Sequence, residues 1–459
     1  MRQRRVALTE GSILQGLVRM ALPIVGTSFI QMTYSLTDMF WIGRVGDKAL
    51  SAVAIGGFFM WMANAFIVMA KTGTEVRVAQ RNGAKREKDA EGYARSGLQL
   101  VILLAVVYSA TLLILRRPLI GFFNIESAEV HTMAYRYLTI IASGMIFPFA
   151  AQVFTGIYNG HGDSRTPFVI NVIGLSLNMV LDPLFIFGLG WGAAGAAAAT
   201  VTAQFVAFAI FFYKIKIQHS LFANFTFFTK FDLPTMRDIG GLGFYPGLQS
   251  GFFTSVSMII ARLVSSFGDT PLGIQKVGSQ IEALTWMTAV GISVALSAFV
   301  GQNYGAQQWN RVIAGYRTGF GLALGLGTFT TALFFFGAEP IFAIFVQEPE
   351  SLAMGVQYLR ILAASQLFMC VEITISGVFN GMGQTKIPSV IGVVGNGLRI
   401  PIALFLSQYT FLGLNGIWWS ISISSILKGT VAWLWIEHTL RAERATTTME
   451  GDLQAQSIK

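Results

Sequence analysis

Tyr158–Pro167 reads YNGHGDSRTP, and the chain repeats this pattern as FNGMGQTKIP at Phe379–Pro388. A second motif, AQRNGA at Ala79–Ala84, recurs as GQNYGA at Gly301–Ala306. The offset between matching positions is 221 for the first motif and 222 for the second. An offset held over so much of the chain indicates an internal duplication, in which one structural unit is built twice.

The composition is that of a membrane protein. Of 459 residues, 53% are hydrophobic and 12% are charged, whereas a soluble domain carries about 25% charged residues. Apolar stretches such as Leu98–Leu115, Phe320–Phe336 and Val390–Leu406 recur along the chain. Each approaches the ~20 residues that a helix needs to cross the bilayer. We therefore predict an all-α polytopic membrane protein, and the single cysteine, Cys370, excludes a disulfide framework.

We predict twelve transmembrane helices in two pseudo-symmetric six-helix bundles. The spans cover residues 14–42, 50–76, 96–115, 129–157, 167–188 and 192–214, then 239–266, 277–300, 314–336, 350–379, 388–408 and 411–437. Six spans per copy make the repeat parallel, an arrangement that transporters use around a central site. The predicted domains are an amino-terminal lobe (1–214), a cytoplasmic linker (215–238), a carboxy-terminal lobe (239–438) and a cytoplasmic tail (439–459).

The basic residues give an orientation. Most of the Lys and Arg residues outside the spans fall at the termini or in the even-numbered connections. The positive-inside rule then places both termini in the cytoplasm of a multi-pass protein of the inner cell membrane. This topology also explains the net charge of +9 without nucleic acid as a partner.

Asp38 is an acid late in the first predicted span, and ionisable groups inside spans commonly mark functional sites. Gln31 and Tyr34 precede it by seven and four positions, so the three side chains share one helix face. The competing interpretation is an acid at the membrane–water boundary that faces an external loop.

Asn178 and Asp182 lie four positions apart in the fifth span and therefore on one face. Pro183 follows and leaves the Met179 carbonyl without its helical donor. Carboxylate, carboxamide and backbone oxygens together suit Na⁺ or a proton, and the Thr200 hydroxyl could complete the oxygen shell. The alternative is an Asp-Pro pair that merely shapes the bundle.

The second copy does not repeat these acids, because Asn178 corresponds to Arg399 and Asp182 to Ala403. It offers its own charged residues in predicted spans: Glu282, Glu372, Arg399 and Lys428. A buried ion pair of Glu282 with Arg399 or Lys428 is expected, and both structural pairing and substrate contact are open roles. Lys71 and Glu75, at the cytoplasmic end of the second span, are interpreted as an ordinary interfacial ion pair.

Several segments resemble the multidrug and toxic compound extrusion (MATE) transporters: Thr37–Gly43, Asn159–Pro167, Asn178–Gly195, Val300–Ala306 and Asn380–Pro388. The resemblance covers nearly the whole chain. It is nearest to the DinF-like and archaeal-type branch, because the chain lacks a glutamate in helix 7 and Glu282 matches a helix 8 position of that branch.

The resemblance implies a V-shaped pair of bundles that exports cationic or amphipathic drugs by alternating access, driven by inward H⁺ or Na⁺. Similar proteins bind the coupling cation, or a Na⁺ ion, at positions matching Asp38, Asn178, Asp182 and Thr200. The substrate chamber and lobe interior would be lined by Gln31, Tyr34, Tyr137, Glu282 and Arg399, and helix 1 would bend at Pro23. Expected partners are organic compounds and membrane lipids, with no cofactor besides the coupling ion, and the expected state is a monomer.

Two other readings compete with drug export. A flippase for a lipid or lipid-linked oligosaccharide would need cavity cations, and those available in or beside the second copy's spans are Arg262, Lys276, Arg360, Arg399 and Lys428. A membrane enzyme would need a histidine or paired-acid site at a membrane face, and the sequence shows neither that nor a nucleotide-binding loop. The chain is therefore predicted not to be an enzyme, and an ion gradient must supply its energy.

Overall fold

The computed structural model describes residues 8–123, 127–216, 221–222, 225–227 and 230–457, and no strand occurs in this part of the chain. The first copy contains α1 (Ile13–Val45), α2 (Asp47–Gly83), α3 (Glu87–Gly121), α4 (Ala128–Gly144), α5 (Ile146–Gly160), α6 (Arg165–Pro183), a π-helix (Leu184–Gly188) and α7 (Gly192–Lys216). The second contains α8 (Leu233–Ser265), α9 (Asp269–Gly305), α10 (Trp309–Phe336), α11 (Ala338–Ala343), α12 (Pro349–Met382), α13 (Lys386–Gln408) and α14 (Leu414–Ser457). The fold class is the all-α one that the sequence predicts.

Ten of these helices are long and apolar enough to cross a membrane, and α4 with α5, bent by 44°, makes an eleventh span. The twelfth predicted span, 411–437, coincides with the first part of α14. Four buried serines and the buried Lys428 lower the hydropathy of that part. The predicted tail is helical as far as Ser457, whereas 217–220, 223–224 and 228–229 of the linker and both chain ends lie outside the described residues.

The chain forms two compact units, whose bounds differ from the predicted lobes. The first unit includes Arg19–Gly251, and the second includes Leu8–Val18 and the chain from Phe252 onward. The amino-terminal half of α8 belongs to the first unit because its glycines pack on the α2 backbone. A Cβ on Gly247 would stand 2.7 Å from the Ala65 carbonyl oxygen.

The segment Leu8–Val18 belongs to the second unit through Arg311. Its guanidinium donates to the carbonyl oxygens of Leu8 at 3.1 Å, Glu10 at 3.2 Å and Gly11 at 3.2 Å. The Leu8 and Leu17 side chains of this segment are also buried, and Arg311 joins the segment to a position about 300 residues away. Sequence pattern alone assigned it to the amino-terminal lobe.

The duplication extends to backbone conformation. Gly162 and Gly383, at matching positions of the repeated turn, have φ of 81° and 82°, a left-handed conformation that favours glycine. Lys85 and Gln307 also match, with φ of 58° and 56°. The two copies therefore share their turn geometry even where the side chains differ.

Close helix contacts are duplicated as well. Gly56 of α2 lies against the Tyr137 ring, and Gly278 of α9 lies against the Tyr358 ring in the same way. In both places a Cβ would overlap the tyrosine. Small residues at a helix crossing let the neighbouring helix approach closely, as is usual in membrane proteins.

Two prolines lie in functional stretches of the first unit. Pro183 ends α6 and is followed directly by the π-helix, which accommodates the missing backbone donor. Pro23 lies inside α1, which runs unbroken from Ile13 to Val45. A bend of α1 at Pro23 stays a prediction, and the Pro23 carbonyl accepts a hydrogen bond from the Thr27 hydroxyl at 3.0 Å.

Candidate functional site

A polar cluster lies inside the first unit, where α6 meets α7. The oxygen and nitrogen of the Asn178 amide are assigned from the donors and acceptors around them, as is usual for carboxamides. Its nitrogen donates to Asp182 Oδ2 at 2.9 Å, and its oxygen accepts from the Thr200 backbone N–H at 3.0 Å and the Thr200 hydroxyl at 3.3 Å. Asp182 is 0% exposed, and Asn178 and Thr200 are buried. The i, i+4 pair predicted from sequence therefore points inward, at α7.

Helix α1 brings Asp38 and Tyr34 to the same cluster. Asp38 and Asp182 interact electrostatically, so the two carboxyl groups are neighbours. The Tyr34 phenol forms a hydrogen bond with the Thr200 side chain and interacts with both carboxyl groups. We call Tyr34, Asp38, Asn178, Asp182 and Thr200 the carboxyl cluster.

Tyr137 of α4 is also part of this neighbourhood. It is buried and interacts electrostatically with Asp38, Tyr34 and Asp182. Gln31, predicted to line the lobe, has an exposed side chain. No described contact joins it to the carboxyl cluster, although its backbone carbonyl accepts from the Ser35 hydroxyl at 3.1 Å.

The carboxyl cluster suits a small cation. Two carboxyl groups, a carboxamide, a hydroxyl and a phenol can share or exchange a proton, or surround Na⁺ with oxygens. Among the described residues, no group of three or more His, Cys, Asp and Glu side chains could hold a metal ion. A transition-metal centre is therefore not indicated in that part of the chain.

Comparison with known proteins identifies the family. The family described as MatE matches residues 23–184 and 247–405, well over half of the chain. The chain belongs to the MATE family. It is accordingly a multi-pass membrane transporter and not an enzyme.

Related MATE proteins align over nearly the full length. A probable multidrug resistance protein, NorM of Thermotoga maritima, is 28% identical over 439 residues, covering 95% of this chain and 94% of the relative. YpnP of Bacillus subtilis, also named a probable multidrug resistance protein, is 27% identical, covering 94% of this chain and 96% of the relative.

Solved MATE structures share the fold. A MATE protein in complex with MaD3S superposes with a TM-score of 0.90 at 23% identity, covering 97% of this chain and all of that one. An outward-facing multidrug resistance MATE transporter gives a TM-score of 0.88 at 22% identity, covering 96% and 99%. The two-lobe, twelve-helix architecture is thus that of the MATE family.

The second unit of this MATE protein contains a network of four charges, in which Glu372 and Lys428 are buried and Glu282 and Arg399 are half-buried. Lys428 Nζ lies 3.0 Å from Glu372 Oε2, with 8% and 9% of the side chains exposed. Glu282 Oε1 accepts from the Gln366 amide at 3.0 Å and interacts electrostatically with Arg399 and Lys428. A pair of Glu282 with Arg399 or Lys428 was expected; Glu282 interacts electrostatically with both cations, while Lys428 forms its close ion pair with Glu372.

Arg399 completes this network, which we call the second-unit charge network. Its guanidinium donates to the Ser424 hydroxyl at 2.7 Å and to the Ser425 hydroxyl at 3.4 Å. It also interacts electrostatically with Glu282 and Glu372. The network contains two acids and two bases, so its charges cancel. This balance supports the interpretation of the network as structural ion pairing.

The expected ion pair between Lys71 and Glu75 is not formed. Lys71 Nζ donates instead to Gln152 Oε1 of α5 at 3.0 Å. Glu75 is only 6% exposed, and its Oε1 is buried without a hydrogen-bond partner among the described residues. Sequence reasoning missed this site because the spacing on α2 does not show that α5 covers it. The small residues Gly156 and Gly160, four apart on α5, were the available signal.

Proposed function

We propose that this MATE protein exports cationic or amphipathic organic compounds across the inner cell membrane, coupled to inward movement of H⁺ or Na⁺. The observation that carries the proposal is the buried Asp182, bonded to Asn178 beside Thr200, with Asp38 of α1 within the range of electrostatic interaction. The names of its relatives, multidrug resistance proteins, support this substrate class. The positive-inside rule supports cytoplasmic termini, and we propose a monomer as the working unit.

Coupling follows from competition between the ion and the transported compound. Two adjacent carboxylates repel each other, so a bound proton or Na⁺ stabilises the pair. Loading from outside would neutralise the carboxyl cluster, bend α1 at Pro23 and favour release of the compound. Unloading toward the cytoplasm would restore the charge and the affinity for a cationic compound. Each ligand then biases the conformation that the other disfavours.

The Asn178 carboxamide can serve either ion. With its nitrogen toward Asp182 it donates to that carboxyl group at 2.9 Å, which suits a proton held by the acids. Turned over, its oxygen faces Asp182 and becomes a ligand for Na⁺ beside Asp38, Asp182 and Thr200.

The flippase alternative loses support in the second unit. Two of the five cations that would meet a pyrophosphate, Arg399 and Lys428, are already balanced by Glu282 and Glu372. Free cations in a cavity are what such a substrate would need, because a buried phosphate must be paired. The charge balance therefore favours an exporter of cations.

The test is transport of a fluorescent organic cation by purified protein in vesicles, with ΔpH and ΔNa⁺ imposed separately. Asp38→Asn and Asp182→Asn should each abolish gradient-driven export while binding of the detergent-solubilised protein to the dye persists. Glu129→Gln is the matched control, since it neutralises an exposed acid paired with Lys48. Export at the control rate by both variants, under the gradient that drives the unmodified protein, would refute the proposal.

A further inference from the structure

Lys71 and Glu75 lie where α2 crosses α5 in the first unit. The crossing is close because the α5 residues facing them are glycines. A Cβ on Gly156 would stand 3.2 Å from Lys71 Cγ, and one on Gly160 would stand 2.8 Å from the Glu75 carbonyl oxygen. Two ionisable side chains are therefore enclosed in the tightest part of a helix–helix contact.

The second unit contains the same crossing without charges. Its α9 and α12 meet at Gly377 and Gly381, which pack on Ser293 and Ser297. A Cβ on Gly381 would stand 2.6 Å from the Ser297 carbonyl oxygen. By the 221–222 offset, these two serines correspond to Lys71 and Glu75, and Ile373 corresponds to Gln152. The second copy thus shows that this crossing packs with two serines and an isoleucine. Packing therefore does not require Lys71, Glu75 or Gln152.

Burying an acid without satisfying its oxygens is destabilising. Glu75 is in this situation, since its Oε1 has no hydrogen-bond partner in the described chain. Lys71 interacts with it electrostatically but donates its hydrogen bond to Gln152. The nearby charges on α2 and α8, Arg77 and Asp238, are paired with each other at 2.6 Å, so the charge that compensates Glu75 is that of Lys71. An arrangement that packing does not need and that lowers stability is best explained by function.

We propose that Glu75 is a second proton site of the first unit, and that Lys71 switches between Gln152 and Glu75 as the carboxyl group is loaded and unloaded. In the loaded state the carboxylate has taken a proton from water and is neutral, and the Lys71 ammonium stays on Gln152, as observed. When the proton returns to water, the carboxylate is charged and attracts Lys71 from one helical turn away. The ammonium itself keeps its protons throughout.

The chemistry of the site selects a proton. A metal cation needs several oxygen ligands, and the nearby Gln152 Oε1 already accepts from the Lys71 ammonium, whereas a proton needs only one carboxyl oxygen. The position is also distinct from the carboxyl cluster. Glu75 lies 28 residues along α2 from Asp47, about 42 Å at 1.5 Å per residue. The end of α2 near Asp47 directly follows the end of α1 that holds Asp38, so the two sites lie toward opposite ends of the unit.

The titration of Glu75 can be measured without transport, by infrared difference spectroscopy of the purified protein across pH. The unmodified protein should show a carboxylic C=O component that Glu75→Gln removes and that the double variant Asp38→Asn/Asp182→Asn retains. Loss of the same component in both variants, or in neither, would overturn the assignment to Glu75.

The role of Glu75 in export rests on the proposed function and needs vesicles. Glu75→Gln should lower export at fixed ΔpH by about 5- to 150-fold, the range of ordinary site-to-site coupling. Lys71→Gln keeps the acid but removes its compensating charge, so the export-versus-pH curve should move to higher pH. A merely structural role would leave that curve in place.

The variant Lys71→Ser/Glu75→Ser/Gln152→Ile carries the residues that the second copy has at these three positions. It tests whether a transport defect of Glu75→Gln comes from misfolding or from loss of the acid. It should fold and show the same transport defect as Glu75→Gln. Export by this variant with the unmodified pH profile would refute the second site. Normal export by Asp38→Asn and Asp182→Asn would instead refute the proposed function while the infrared signal of Glu75 persisted.

Discussion

Removing Lys428 should leave one uncompensated acid in the second-unit charge network. Lys428 and Glu372 are 3.0 Å apart and more than nine-tenths buried, so water cannot replace the lost partner. Breaking a buried ion pair from one side costs about 3–5 kcal/mol. We therefore expect Lys428→Met to lower the free energy of unfolding by about 4 kcal/mol.

The loss of stability should depend on pH in opposite directions in the two single variants, Lys428→Met and Glu372→Gln. In Lys428→Met the unpaired group is a carboxylate, so the deficit in the free energy of unfolding should shrink as the pH falls. In Glu372→Gln the unpaired group is an ammonium that must lose a proton, so the deficit should shrink as the pH rises. The double variant restores the balance of one acid and one base, Glu282 and Arg399. It should recover all but about 1–2 kcal/mol of either single loss.

The assay is equilibrium unfolding in mixed detergent at several pH values, with the four proteins compared as a double-mutant cycle. Arg262→Met is a suitable control, because it removes an exposed cation from the same unit. Single losses below about 1 kcal/mol, the size of an exposed pair, would refute the idea that this pair is buried and mutually dependent. Parallel rather than opposite pH slopes would refute the charge-balance reasoning.

Three further changes test the packing and the caps. Gly56→Val would force a side chain into the Tyr137 ring, so it should lower the free energy of unfolding in detergent by about 1–3 kcal/mol. Gly57 faces open space, so the control Gly57→Val should be nearly neutral. Gly162→Ala, at φ 81°, should cost about 1–2 kcal/mol by the same assay because the left-handed conformation is strained for alanine. Hydrogen bonds from a threonine hydroxyl and backbone N–H three residues on hold the pKa of Asp232 below its usual range. The amino-terminal cap of α8 should therefore weaken as pH falls through that lowered pKa, which amide hydrogen exchange in the first turn would report.

The helices could be predicted from the sequence because their signal is local. An apolar run of sufficient length must form a helix in lipid, whatever it packs against. Each of the twelve predicted spans accordingly coincides with helical structure, with boundaries shifted by several residues. The place of Leu8–Val18 in the second unit could not be predicted, because it depends on Arg311, a contact that no local pattern contains.

The carboxyl cluster was partly predictable for a similar reason. Asn178 and Asp182 share a face by helix geometry, and the resemblance to MATE proteins supplied Asp38 and Thr200. The roles of these residues in ion coupling stay predictions. The partners of Lys71 and Lys428 were not predictable, since Gln152 and Glu372 lie 81 and 56 positions away on other helices. Helix rotation selects among such partners, and sequence spacing on one helix does not reveal it.

The comparison of the two copies separates what the fold requires from what the function requires. Turn conformations and the glycine–tyrosine contacts at Gly56 and Gly278 are kept in both copies, so they belong to the architecture. Buried charges are not kept: Asp182 corresponds to Ala403, and Glu75 corresponds to Ser297. Each copy therefore supplies a control for the other, because the fold tolerates the apolar or neutral residue at the equivalent place. Asp182 and Glu75 are buried acids that only one copy contains and that form no close ion pair among the described residues. At these positions chemistry, rather than packing, has set the sequence.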